Sequence, residues 1–219
     1  MSTWPVSALC TGRSALIADG KRSAIAKHPL AGPVRIGTLG LDGDTQVNRK
    51  YHGGPEMAVH CYPLAHHDHW REMLGDHPLL SEPGAFGGNL AVNGITEADV
   101  RIGERFRLGS AILEISQPRM PCGTIERRFE RGGMVAEILR TGRCGWYFRI
   151  VKEGDARAGD DLEAIEGTGG DYTVRDTFTA LAEPKGPADR ALLEALADCR
   201  ELTAEWRSKA SAKLTGIRA

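Results

Sequence analysis

No apolar run in the chain approaches the roughly 20 residues needed to cross a bilayer, and residues 1–10 lack the basic-then-apolar layout of a secretory signal. The expected address is the cytoplasm. An excess of charge of either sign is missing too. Against 29 Asp and Glu stand 28 Lys and Arg, a formal net charge of -1, so no global field draws in nucleic acid or an anionic membrane. Any anionic ligand must be met by local basic residues. C-x-x-C pairs are absent, and the five cysteines (Cys10, Cys61, Cys122, Cys144, Cys199) are scattered and odd in number, which argues against a thiolate zinc site or a thioredoxin-type motif. For four of them the expectation is a small, buried apolar thiol. No internal repeat or low-complexity tract is visible.

What is present is ordinary globular material. With 41% hydrophobic and 26% charged residues, the chain has enough apolar side chains for a core of normal size. From residue 34 to about 165 it reads as short extended segments cut by Gly, Asp and Asn, the grammar of a β-barrel or sandwich. Strands are expected over residues 34–39, 100–108, 111–116 and 146–151, with turns at Asp42-Gly43-Asp44, Asn93-Gly94 and Gly109-Ser110. Two helices interrupt this region. One is expected to open near Pro63 and run to Gly75, the other to cover residues 134–140 with Gly142 as its stop.

After Gly167-Thr168-Gly169-Gly170 the pattern turns helical over residues 174–182, 188–197 and 204–214. Thr173 with Asp176 resembles a capping arrangement, Pro187 suits the opening of the second helix, and Thr203 suits the N-cap of the third. The expected organisation is a mainly β domain over residues 1–168 and a small three-helix bundle over residues 169–219. Helices this short do not persist alone in water, so they should pack together or on the β domain through Phe178, Leu181, Leu192, Leu196, Trp206 and Leu214. Trp206 has two readings, a docking surface for a partner or a core residue between helices.

Three segments carry candidate chemistry. In Ser116-Gln117-Pro118-Arg119-Met120-Pro121-Cys122 the two prolines hold their predecessors extended, so residues 117–122 should form a stiff loop that aims the thiol. A helix start at Gly123-Thr124 together with Arg119 would favour the thiolate, the form that binds a soft metal or acts as a nucleophile. A structural cysteine there is an equal alternative from the loop alone. In Lys50-Tyr51-His52-Gly53-Gly54-Pro55 the glycines permit close approach of a ligand while Lys50 and His52 supply donors. A tight surface turn would use the same residues. Phe86-Gly87-Gly88-Asn89-Leu90 has the same character, with Asn89 able to donate and accept.

These three segments, with Ser23-Ala24-Ile25-Ala26-Lys27, Gly40-Leu41-Asp42-Gly43-Asp44, His60-Cys61-Tyr62-Pro63 and Gly145-Trp146-Tyr147 in the same order, resemble the MOSC family (molybdenum cofactor sulfurase C-terminal domain), and within it the YiiM-like subgroup. The C-terminal helices, through Leu202-Thr203-Ala204-Glu205-Trp206, are similar to that subgroup's three-helix appendage. Gly88 stands where the subgroup usually has Glu.

The resemblance implies a MOSC-type β-barrel with peripheral helices that binds the molybdenum cofactor (molybdopterin), with Cys122 as the protein's ligand to molybdenum. It calls for no pyridoxal phosphate. Ser23, Lys27, His52, Asn89 and Arg119, the polar members of separate segments, are expected to hold the cofactor's phosphate and pterin edge, since a dianionic phosphate needs several converging donors. The implied activity is reduction of N-hydroxylated compounds such as N-hydroxylated purine bases. Lacking an iron–sulfur pattern or G-x-G-x-x-G fingerprint, the chain would need electrons from a separate reductase. Two other uses of the same thiolate stay open: a persulfide-bearing sulfur carrier, and a protein that stores or hands on the cofactor without turnover.

Three clusters take plainer readings. His66-His67-Asp68-His69 is expected to be a polar helix face anchored by Trp70, because His66 and His69 can share a helix face but His67 cannot join them. Asp42-Gly43-Asp44 lacks the remaining ligands of a calcium loop and reads as a turn. Arg127, Arg128 and Arg131 read as a solvated helix face outside the site.

Overall fold

Alternation of apolar and polar residues is lost in the longest strand of the chain's middle, Ala111–Pro118, where all but one residue is buried. A strand covered on both faces must lie inside a layered structure. In the computed structural model, which describes residues 2–17, 20–47, 53–183 and 189–217, that strand is the wall of a closed barrel. The strands are β1 Thr3–Thr11, β2 Ala15–Leu16, β3 Arg22–Ser23, β4 His28–Pro29, β5 Val34–Gly37, β6 Gly40–Leu41, β7 Val59–Pro63, β8 Leu90–Val92, β9 Arg105–Leu108, β10 Ala111–Pro118, β11 Trp146–Lys152, β12 Gly154–Ala156 and β13 Asp161–Ala164. The helices are α1 His66–Leu74, α2 Thr124–Phe129, α3 Met134–Thr141, α4 Val174–Leu181, α5 Arg190–Asp198 and α6 Ala204–Ile217.

The sheet order is β13-β9-β10-β11-β7-β8-β1-β4, and β1 also pairs with β13 through Trp4 opposite Leu162, so seven strands close a ring with β4 attached outside it. All pairs in the ring are antiparallel except β7 with β8, where Cys61 lies opposite Leu90. A parallel pair needs a crossover, and the segment holding α1 supplies it.

Several boundaries differ from expectation for identifiable reasons. The segment expected as one strand over residues 100–108 is strand only at Arg105–Leu108. Val100 and Ile102 alternate because they are buried beneath the C-terminal segment, whose Val174 amide donates to Val100 O at 2.9 Å and whose Tyr172 O accepts from the Ile102 amide at 3.1 Å. Pro63 ends β7 rather than opening α1, a position that a missing N–H permits at a strand terminus. Strand β5 stops at Gly37, whereas β10 extends through Pro118, so the proline-stiffened stretch begins as strand and the connecting loop starts at Arg119.

The helical end follows its local signals closely. Thr173 and Asp176 form a reciprocal capping box at α4, Gly142 ends α3 in the left-handed conformation, and Asp189 caps α5. Pro187 lies outside the described residues. At α6, the Thr203 hydroxyl donates to Gln117 Oε1 at 2.8 Å, and its amide bonds Ser116 O at 3.3 Å. The third helix is thereby fastened to β10. Val174, Phe178, Leu193, Leu196 and Trp206 belong to one continuous core with Phe106, Leu113, Ile115 and Phe148 of the barrel. Trp206 is fully buried there, which places it among core residues rather than on a docking surface. No helix among the described residues is long and apolar enough to cross a membrane.

The histidine cluster is not a polar outer face. His66 and His67 are buried, with His66 Nε2 2.8 Å from Glu97 Oε2 and His67 Nδ1 2.9 Å from Leu80 O, while the partly buried His69 pairs with Glu137 at 2.8 Å. The side chains diverge as helical geometry requires, and each polar ring finds its own partner on a different element.

Candidate functional site

The end of β10 and the loop after it feed a cavity of about 260 Å³ at one end of the barrel. Five residues expected at the site from sequence, Ser23, Lys27, Asn89, Arg119 and Cys122, all line it. They come from three separate stretches of the chain, 23–27, 86–90 and 116–122. His52 lies outside the described residues; Gly53, next to it, is a lining residue.

Local chemistry explains how each is held. The 24–27 segment is pressed onto Gly12, where an added Cβ would stand 2.5 Å from Ala24 O and 2.7 Å from Ala26 O, so only glycine lets the segment lie this close. Ser23 Oγ accepts the Ile25 amide at 3.2 Å, a local turn bond that leaves its hydroxyl proton for another acceptor. Lys27 is buried and ion-paired with Asp44, whose side chain is only 2% exposed. Asp44 also accepts from the Gly12 amide at 2.8 Å and from Asn89 Nδ2 at 3.0 Å.

Asn89 is committed more fully than its sequence context implied. Its Nδ2 donates to both Cys10 O and Asp44, each at 3.0 Å, and its Oδ1 accepts the His60 amide at 3.1 Å. Only one carbonyl lone pair is left to offer a ligand, so its main work is to tie β1 and β7 to Asp44. Arg119 is anchored by its amide, which donates to Gly145 O at 3.0 Å, and its guanidinium hydrogen-bonds the Tyr147 hydroxyl.

Charge in the cavity is unbalanced. Among the described lining residues, Lys21, Arg22, Lys27, Arg119 and Arg127 stand with the carboxylate of Asp44. Burial and neighbouring cations both act against protonation here. Burial lowers the Lys27 pKa, opposed by Asp44, and burial with help from Arg119 holds the His60 imidazole well below 6.5. Burial raises Tyr147, while the adjacent Arg119 pulls it back toward ionisation. A partly open cavity lined by several cations suits a multiply charged anion.

The five cysteines sort cleanly. Burial pushes Cys10 up to about 11 and Cys61 and Cys144 well above 9.0, and Cys199 is also raised, chiefly by burial. These four favour the thiol. Cys122, half-buried, is the one cysteine among the cavity's lining residues.

Sequence reasoning left out residues the structure brings in. Asp44 makes the expected turn, its amide bonding Leu41 O at 3.0 Å, but its carboxylate is also the counter-charge of the site. Arg127 lines the cavity, and Arg128 is largely buried, donating to Ala85 O at 3.1 Å, so neither belongs to a solvated face. His60 and Tyr147 lie in the segments 60–63 and 145–147, to which the sequence pattern assigns no side-chain role. Their signal was the strand phase: both lie on barrel strands at positions facing the cavity end.

Comparison with known proteins gives concordant matches. A family model described as the MOSC domain matches residues 48–163. The chain is 36% identical over 166 residues to Protein YiiM of Escherichia coli (strain K12), covering 76% of this chain and 74% of that one. It is 34% identical over 181 residues to a protein named Reductase from Gibberella moniliformis, covering 82% of this chain but only 31% of the fungal protein. The crystal structure of YiiM from Geobacillus stearothermophilus superposes with a TM-score of 0.79 at 26% identity, over 96% of this chain and 99% of that one.

Proposed function

The chain belongs to the MOSC domain family, and on that premise we propose that it is a molybdenum-cofactor-dependent reductase of N-hydroxylated compounds, such as N-hydroxylated purine bases. The observation that carries this reading is the convergence of Cys122 with Ser23, Lys27 and Arg119 on one cavity with surplus positive charge. Those residues fit the group. A soft sulfur donor suits molybdenum, and buried cations with a hydroxyl suit a phosphate. The name of the fungal relative supports the reductive direction.

When bound, the cofactor supplies a centre that exchanges two electrons, so that an N–OH bond, two electrons and two protons become N–H and water. The chain's residues do the rest. Cys122 is the proposed ligand to the metal, while Ser23, Lys27, Arg119 and, outside the described residues, His52 are proposed to hold the phosphate and pterin edge. Asp44 and Asn89 fix Lys27 and the strand ends behind it. His60, neutral at ordinary pH because of its burial, adds no further charge to the cavity. The described lining residues all lie between Ile17 and Tyr147, so the proposed chemistry rests in residues 1–168, and residues 169–219 brace that part. Electrons are proposed to come from a separate reductase in the cytoplasm.

Protein made in a cofactor-competent host should carry about one molybdenum per chain, because one cysteine lines the cavity. Cys122→Ala should lose it, whereas Cys10→Ala and Cys199→Ala should keep it. Equal molybdenum in all three variants would overturn the assignment of Cys122. A persulfide on Cys122 in protein without molybdenum would favour the sulfur-carrier reading, and bound cofactor without turnover of any N-hydroxylated base would favour a carrier.

A further inference from the structure

We propose that Glu97, which no site segment contains, is a positioning residue that sets Gly145 and, through it, Arg119 and the Cys122 loop. The inference rests on the reading of the cavity as an anion-holding cofactor site and adds to it a residue behind the wall. Glu97 is fully buried in the turn after β8. Its Oε1 accepts the Gly145 amide at 2.6 Å, and its carboxylate takes His66 Nε2 at 2.8 and 3.1 Å. Since a carboxylate only accepts, His66 carries its proton on Nε2.

Gly145 is where positioning is needed. It sits at φ +71, and an added Cβ would stand 2.4 Å from Cys61 O and 2.8 Å from His60 Nε2, so glycine is obligatory and brings with it a loosely restrained backbone. On one side its amide is pinned by Glu97. On the other its carbonyl accepts the Arg119 amide at 3.0 Å, at the point where β10 gives way to the loop carrying Cys122. A short bond to a fully buried side-chain oxygen is directional, which makes it an effective clamp on a flexible peptide. Glu97 is itself held from two directions. His66 stands at the start of α1, and the Glu97 carbonyl accepts the Arg175 amide of α4 at 2.9 Å, so the C-terminal helices reach the site through this residue. A residue serving only to accept from His66 would not place its shortest bond on the Gly145 amide.

Glu97→Asp keeps the charge but withdraws it by one methylene, and Glu97→Gln keeps the length without the charge. Two readouts on cofactor-free protein, well below the unfolding midpoint, test the proposal: the Kd for inorganic phosphate by calorimetry, and the rate of Cys122 alkylation by iodoacetamide. Expected for Glu97→Asp are phosphate binding weakened about fivefold, the effect of one lost hydrogen bond, and an altered alkylation rate. Glu97→Gln still accepts from Gly145 while its amide N–H donates to His66 Nε2 in the other tautomer, so it should stay within about twofold of wild type on both. Unchanged Kd and alkylation in folded Glu97→Asp, or a Gln variant impaired as much as the Asp variant, overturns the positioning role. Wild-type protein that fails to bind phosphate overturns the anion-site reading instead, and the alkylation rates then decide Glu97 independently.

Discussion

The cavity end of the molecule and its helical flank are built on opposite terms, although strand β10 belongs to both. Around the cavity, cations outnumber the carboxylate among the described residues, the Lys27 pKa is lowered by burial, and Asn89 commits most of its hydrogen bonds to neighbouring protein groups. Along the flank, Phe178, Leu193, Leu196 and Trp206 are buried against apolar neighbours, and the helix starts of α4 and α5 are capped by side chains. One region concentrates unfavourable charge; the other supplies the stability that makes this tolerable.

The strongest way to break the contrast is Trp206→Ala. Removing a fully buried indole next to Phe178 should cost about 4 kcal/mol, read as a shift in the urea midpoint. Phosphate should recover none of that loss beyond what it adds to wild type. If Trp206→Ala instead abolishes phosphate binding in protein that remains folded, flank and cavity are one functional unit.

Asp44→Ala attacks the cavity side. It strips the counter-charge from buried Lys27 and a hydrogen-bond acceptor from Asn89 and Gly12, and should cost about 3 kcal/mol. Here added phosphate should restore more stability than it gives wild type, because the anion replaces the missing charge. Equal gains in variant and wild type would mean that the cavity's charge imbalance is not what an anion answers.

The smallest effect concerns pH. His60 is held neutral well below 6.5 by burial, so as pH falls below about 6.5 the unfolded chain takes up a proton that the folded chain refuses. Stability should therefore decline from neutral pH toward about pH 5 by on the order of 1 kcal/mol from this residue. His67, lowered in the same direction by burial, adds to the decline. His60→Gln should flatten the slope in urea titrations at the two pH values; an unchanged slope would remove His60 as its source.

Local patterns were readable wherever a residue's role depends on its chain neighbours. Pro118 and Pro121 around Arg119 announced the thiol loop, Thr173 with Asp176 announced α4, and Gly142 announced the end of α3. Patterns misled where burial came from a distant segment. Val100 and Ile102 look like strand because the C-terminal segment covers them, and His66 looks like a surface residue because Glu97 lies 31 positions away. Asp44 looked complete as a turn residue, and nothing next to it in the chain marks the Lys27 ion pair.

Propensity, capping and proline geometry act over a few residues, so the chain's own order was enough to settle the β-rich body, the helical C-terminal part, and Cys122 as the thiol carried on a stiffened loop. Barrel closure through Trp4 and Leu162, the parallel pairing of β7 with β8, and the gathering of Asp44, His60, Arg127 and Tyr147 around that thiol were decided in three dimensions. They depend on contacts between residues tens to more than a hundred positions apart. Such contacts are selected by which faces can be buried together, and that selection leaves no local trace in composition or spacing.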